Sequence, residues 1–330
     1  MIAQLDGLYI RTRPTKAVSR LVSYALFEGR PLTTRGRWIN PLVFALYSLE
    51  KRLPAVKKVE MPIFILGTGR SGTTILGVVL SMHRDVAFLN EPKALWHSLY
   101  NEEDIIGGYT KGPARYRLGA DDAGKDVIKN AHRLYGAYLA ATFSKRVVDK
   151  YPELIFRVQF VKAIFPDAKF LFLARSGWDT CRSIDTWSKR LGENVKGEVH
   201  DWWGVNDRKW RLLIEQVACE DPDLCGSVAE LKALTGHADR AAVEWALTMR
   251  EGIKLLKSDP AVMLVRYESL VEDPKKSLAG ILKFCGLRND GKFLGYAYKT
   301  LVPAARKKPF DLHPLVRSVF EKTMKEMGYE

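Results

Sequence analysis

Short apolar runs that end at a glycine or an arginine, each followed by residues of helical periodicity, set the rhythm of this 330-residue chain. The first run is Ile63-Phe64-Ile65-Leu66, closing at Gly67, after which Thr74 to Met82 reads as a helix. Lys169 to Ala174 forms the second, followed by Arg175 and a helical stretch through about Arg190, and Ala261 to Val265 forms the third, running into Arg266-Tyr267-Glu268. The segment from Met82 to Asn90 admits one more short strand. Runs without polar alternation suit strands covered on both faces, so the pattern predicts an α/β fold with a central parallel sheet flanked by helices.

Two segments fall outside this rhythm. Residues 190–240 hold Trp202, Trp203 and Trp210, many charges and an Asp221-Pro222 break, which reads as a helical insertion or lid on a main domain spanning residues 61–330. Residues 1–60 form a basic, amphipathic N-terminal extension with eleven Lys and Arg against Asp6, Glu28, Glu50 and Glu60. Apolar clusters at 21–27 and 42–49 can lie on an anionic membrane surface as short helices, or pack on the main domain with their charges in water.

Composition narrows the partner only in sign. At 47% hydrophobic and 27% charged the chain is ordinary globular material, but a net charge of +14 calls for an anionic partner. Cys181, Cys219, Cys225 and Cys285 show no metal-binding or disulfide-scaffold spacing, although Cys219 and Cys225 are close enough to pair. No apolar run of about 18 residues and no cleavable leader is present, so the expected location is cytoplasmic, free or peripheral on the membrane.

The first chemical motif is Gly67-Thr68-Gly69-Arg70-Ser71-Gly72-Thr73-Thr74, a glycine-rich turn between a strand and a helix, where backbone N–H groups can converge on an anion. It also satisfies a dinucleotide-binding fingerprint, with Glu91 as the downstream acid, and a nucleotide-kinase loop except that Thr73 stands where lysine is needed. That lysine carries the β/γ-phosphate charge in phosphoryl transfer, which argues against a small-molecule kinase. The string Arg70-Ser71-Gly72-Thr73-Thr74 resembles the 5′-phosphosulfate loop of the sulfotransferase superfamily. Downstream, Asp149-Lys150-Tyr151-Pro152, Phe165-Pro166-Asp167-Ala168-Lys169-Phe170, Arg175 with Ser183 eight residues on, Arg266-Tyr267-Glu268-Ser269-Leu270 and Phe284-Cys285-Gly286-Leu287 continue the resemblance.

The resemblance implies a P-loop-like sulfotransferase fold and an enzyme that moves a sulfuryl group from 3′-phosphoadenosine-5′-phosphosulfate (PAPS) to an acceptor hydroxyl, with no metal required. It implies that Gly69, Arg70, Ser71, Gly72, Thr73 and Thr74 hold the 5′-phosphosulfate, that Arg175 and Ser183 hold the 3′-phosphate, and that Tyr267 belongs to the cosubstrate site. One departure is the absence of any tryptophan after Trp245, where many members carry a loop that closes on the 3′-phosphate; the run Arg306-Lys307-Lys308 is the candidate substitute. Arg70 and Lys150 are the expected catalytic cations and Glu91 the expected general base, with His83 and His97 as rivals. The acceptor is expected to be a carbohydrate or glycolipid, then a small-molecule alcohol, then a peptide tyrosine. The competing readings are a small-molecule kinase and a membrane or nucleic-acid adaptor; nucleic acid is the least expected partner.

Overall fold

The computed structural model describes residues 2–30, 36–195, 197–303, 305 and 307–329. Its frame is a five-stranded parallel sheet of β1 (Ile63–Gly67), β2 (Val86–Asn90), β3 (Arg146–Lys150), β4 (Lys169–Ala174) and a later strand, β8 (Val262–Arg266), in the order β2-β3-β1-β4-β8. β1 is the central strand and every one of its residues is buried. Its side chains alternate between two apolar layers: Phe64 and Leu66 join Phe170 and Phe172 on one face, while Ile63 and Ile65 join Leu171 and Leu173 on the other. The continuous apolar runs therefore mark strands sandwiched between helices. Helix α4 (Thr73–Ser81) follows β1, while α1 (Gly7–Thr12), α2 (Pro14–Val22) and α3 (Asn40–Glu50) precede it. Between β2 and β4 lie α5 (Lys93–Leu99), α6 (Lys125–Ala141) and α7 (Val158–Ile164), and α8 (Gly177–Leu191) follows β4.

Residues 193–205 form a small antiparallel sheet of β5 (Glu193–Val195), β6 (Glu198–Asp201) and β7 (Gly204–Val205), leading into α9 (Arg208–Gln216) and α10 (Val228–Ala233). This excursion thus combines a hairpin with helices. Helix α11 (His237–Ser258) returns the chain to β8, after which α12 (Tyr267–Glu272), α13 (Pro274–Cys285), α14 (Gly291–Thr300) and α15 (Pro314–Glu326) complete the layers. Cys219 and Cys225 are free thiols.

The basic residues of the N-terminal extension divide by role. Lys16 Nζ donates to the Val86 carbonyl at 2.7 Å and Arg20 to the Phe88 carbonyl at 3.1 Å, while Glu28 accepts from the Asn90 N–H at 2.7 Å. These are outward-facing backbone groups of β2, the edge strand, so α2 and the segment that follows it to Glu28 close an edge that would otherwise be open to pairing. Arg20 and Glu28 are themselves a buried ion pair, and Arg13 clamps Asp290 with two 2.8 Å hydrogen bonds. Much of the positive charge counted in residues 1–30 is turned into the protein.

Candidate active site

All five parallel strands end on the same side of the sheet, and each end delivers one of the residues singled out from the sequence. In sheet order these are Glu91 after β2, Lys150 closing β3, Arg70 in the loop after β1, Arg175 after β4, and Tyr267 after β8. A crevice where connections diverge to opposite sides of a central strand is where open α/β sheets bind ligands. Here that point lies between β1 and β4, at Arg70 and Arg175.

The loop after β1 is shaped by backbone conformations that few residues accept. Gly72 has φ 105°, and a Cβ there would meet the Tyr267 ring at 2.5 Å. Glycine is thus required on both counts. The other face of the crevice is built outward from the same ring, because the Arg175 guanidinium lies 4.4 Å from the Tyr267 centroid. Ser71 Oγ bonds back to the Thr68 carbonyl at 2.6 Å and rigidifies the turn. Arg70 holds a left-handed φ of 67° and Glu91 one of 51°, so two candidate catalytic residues sit in conformations that cost non-glycine residues about 1–2 kcal/mol each.

Arg70 Nε donates to Ser183 Oγ at 3.2 Å, joining the candidate 5′ and 3′ subsites. Around them a cavity of about 300 Å³ is lined by Arg70, Arg175, Arg182, Ser183, Arg190 and Lys307, with Asp179 the single acid. Burial, and then the nearby Arg190 and Arg175, pull the Arg70 guanidinium below its ordinary range. Arg175 Nε is buried without a hydrogen-bond partner. Cations crowded together, one with an unused donor, fit an anionic ligand with more than one charged group. Arg175 does make the i,i+4 contact with Asp179, at 3.5 Å, but Asp179 also accepts from the Lys307 N–H at 2.6 Å and so ties the C-terminal loop to the cavity. Arg182 reaches the Lys308 carbonyl at 3.4 Å; Arg306 lies outside the described residues.

Lys150 is buried and its ammonium contacts the Glu91 carboxylate directly. Burial would raise the Glu91 carboxyl, but Lys150 and Lys93 outweigh it and hold it below the ordinary value. The charge chain runs on: Lys93 lies 3.5 Å from Glu153, Glu153 lies 3.4 Å from Lys209, and Lys209 pairs with Glu244 at 2.6 Å. Burial notwithstanding, Lys93 and Lys209 pull the Glu153 carboxyl down to about 2. Beside this chain a second, smaller cavity is lined by Gly69, Glu91, Ile106, Trp187 and Trp202 among others.

The three tryptophans of the excursion do different things. Trp203 and Trp210 are fully buried with centroids 5.5 Å apart and make its private core. Trp202 instead leans on the loop after β1, where a Cβ at Gly69 would meet it at 2.5 Å, and donates from Nε1 to Glu244 at 2.7 Å. The rival histidines fall elsewhere. His83 sits just before β2, at the opposite end of the strands, bonded to the Arg288 carbonyl, and His97 stacks on Tyr109.

Sequence reasoning missed Arg182, Arg190, Lys93, Glu153 and Lys209. The first two carried a readable signal, since positions 182, 186 and 190 follow Arg175 along one helical face. The last three meet only through long-range packing.

Sheet order, the glycine loop at the β1–β4 crevice and the cation cluster define an α/β protein built to hold a polyanionic ligand at its strand ends. The sulfotransferase family profile matches residues 62–215, just under half of the chain, and over that stretch the chain is similar to sulfotransferases. It is 25% identical over 244 residues to the nodulation protein NoeE of Sinorhizobium fredii, covering 70% of this chain and 51% of that one. It is 31% identical over 226 residues to a protein-tyrosine sulfotransferase of Drosophila melanogaster, covering 65% and 42%. The chain thus spans about half or less of the length of these relatives. The sulfotransferase STF9 of Mycobacterium avium shares the fold, with a TM-score of 0.50 at 12% identity over 98% of this chain and 97% of that one.

Proposed function

We propose that this protein transfers a sulfuryl group from PAPS to an acceptor hydroxyl. The observation that carries the reading is the row of strand ends, in which Glu91, Lys150, Arg70 and Arg175 stand in sheet order along one crevice. In this reading the loop after β1, with Arg70, holds the 5′-phosphosulfate, and Arg175, Ser183 and Tyr267 hold the 3′-phosphoadenosine end. Transfer forms a bond from the acceptor oxygen to sulfur and breaks the bond from sulfur to the bridging oxygen. Arg70 and Lys150 offset the charge that builds on the leaving phosphate, and Glu91 takes the hydroxyl proton. Since these cations are side chains, no metal is invoked.

Glu91 can act only where an acceptor reaches it, which is the cavity walled by Trp187 and Trp202. Indole faces beside the polar Glu153, Asp201 and Lys209 suit a ring that is apolar on its faces and hydroxylated on its rim, so a carbohydrate or glycolipid is the acceptor class we favour. The thiol state of all four cysteines suits a reducing, cytoplasmic setting. Calorimetry with adenosine 3′,5′-bisphosphate (PAP) tests the cosubstrate, and a mass gain of one sulfuryl group in a glycan pool supplied with PAPS tests the reaction. PAP should bind and raise the melting temperature; binding of ATP or NAD in its place would overturn the reading.

A further inference from the structure

Eight of the fourteen large apolar side chains exposed among the described residues lie between residues 10 and 56, although α2 is occupied with the β2 edge. Three of the eight follow one helical spacing. Trp38, Leu42, Ala45 and Leu49 recur at intervals of four, three and four residues on and just before α3, and Leu53 and Val56 continue beyond its end. Val43 and Tyr47, about half a turn away, bury the other side of the helix. Trp38 is 83% exposed, Leu42 60%, Leu49 55% and Val56 65%. Lys57 Nζ bonds the Ser144 carbonyl at 2.6 Å, and Phe143, the residue before it, is 93% exposed. An eleven-residue helix that is apolar on both sides and packed on only one has a face without a partner.

Charge identifies what that face meets. From 36 to 60 the chain carries Arg37, Lys51, Arg52, Lys57 and Lys58 against Glu50 and Glu60; Lys51 and Lys57 donate to backbone carbonyls and Lys58 pairs with Glu60, which leaves Arg37 and Arg52 facing solvent. Arg37 and Arg52 are exposed at the two ends of the helix, where long side chains can keep their heads at a charged surface while the helix lies flat. The stripe is too narrow for a second copy of the chain, because a helix of this length is about 16 Å long and a stable interface needs about 800 Å² per partner. An aromatic residue at the rim, aliphatic side chains along one face and flanking cations are the features of a helix that lies in a membrane interface.

We infer that the α3 face, with Trp38, Leu42, Leu49, Leu53, Val56 and Phe143, docks the protein on an anionic lipid bilayer. The surface does not depend on the catalytic reading, since lipid binding and PAP binding are measured separately.

The test is sedimentation of the full chain with vesicles of phosphatidylcholine alone and of phosphatidylcholine mixed with phosphatidylserine. Binding should require the anionic lipid and fall as salt is raised. The Trp38→Ser/Leu42→Ser/Leu49→Ser variant changes only exposed positions, and it should bind mixed vesicles at least about tenfold more weakly with an unchanged melting temperature. The separate Arg37→Gln/Arg52→Gln variant should lose part of the affinity and part of the salt dependence. Failure of the wild-type chain to bind mixed vesicles would overturn the inference, as would unchanged binding by the triple variant. Self-association abolished by the same three substitutions, without vesicle binding, would assign the face to a second copy and overturn it too.

Discussion

Replacing Glu91 with glutamine separates a base from a structural partner, because the carboxylate is the proposed base and is also ion-paired with Lys150. Its volume is nearly conserved and its left-handed backbone is no worse served by glutamine. What changes is the charge beside Lys150, whose side chain is 3% exposed while that of Glu91 is 35% exposed. Breaking a fully buried pair costs about 3–5 kcal/mol. The exposure of Glu91 discounts this to about 1–2 kcal/mol, a fall of roughly 2–6 °C in a chain of this size. Loss of a general base lowers turnover by about 10²–10⁴-fold. PAP should bind the variant as well as wild type or better, because Lys150 no longer has to leave a carboxylate to meet a phosphate. The sign of the pH dependence follows from the lowered Glu91 carboxyl: the pair stabilises the fold above the ordinary carboxylate range and is lost as pH falls through the folded value, so wild type and variant converge in acid. Single-turnover transfer, melting temperature and PAP calorimetry on one preparation decide the matter. A lower melting point with turnover within about threefold of wild type would refute the assignment of Glu91 as base.

Arg175→Ala should weaken PAP binding by about 1.5–3 kcal/mol in calorimetry while leaving adenosine 5′-phosphate, which lacks the 3′ group, nearly unaffected. Arg70→Gly removes a strained backbone and a cation crowded by Arg175 and Arg190, so the free protein should melt within a few degrees of wild type while PAP affinity falls at least about tenfold. Lys209→Met removes the cation paired with the buried Glu244 and one of the two beside Glu153, and should destabilise the fold by about 3–5 kcal/mol, read by urea unfolding at pH 7. The Glu153 carboxyl, held at about 2, stabilises the fold above the ordinary carboxylate range, and this contribution should disappear between about pH 4.5 and pH 2 in acid titrations followed by tryptophan fluorescence.

How much of this was readable depends on how local each signal is. The loop after β1 and the Arg175–Ser183 spacing each lie within one βα unit, so residue type and period were enough to find them. Strand β3 was not found, because Arg146-Val147-Val148-Asp149-Lys150 has only two apolar residues between charges. Its acid is satisfied from afar: Trp96 Nε1 and the Tyr135 hydroxyl both bond Asp149, whose carboxyl burial pushes up to about 7. Its lysine is satisfied by Glu91, the residue that follows the neighbouring strand. A strand whose polar ends are paired by other elements has no signature of its own. The basic N-terminus left two readings open, since charge patterning cannot tell Lys16 and Arg20, which cap an edge strand, from Arg37 and Arg52, which face solvent.

The same comparison explains why the candidate site is the least comfortable part of the fold. Left-handed backbone at Arg70 and Glu91, a cavity with more cations than anions and a buried Arg175 donor without an acceptor all cost stability in the free protein. A ligand carrying two phosphate-type groups would neutralise the cations and use the donor, so the cost is returned on binding. The Glu91–Lys150 pair adds order to that exchange. While Lys150 is held by Glu91, the carboxylate is depressed and is a weak base; in the proposed reaction, Lys150 turning to the 5′-phosphosulfate would take the nearest cation from the carboxylate and make it more basic. In the proposed reaction, the arrival of the group to be transferred would therefore strengthen Glu91 as a base. For the free carboxylate to gain that strength, Lys150 must have somewhere else to go, and Arg70 on the adjacent strand end marks the place.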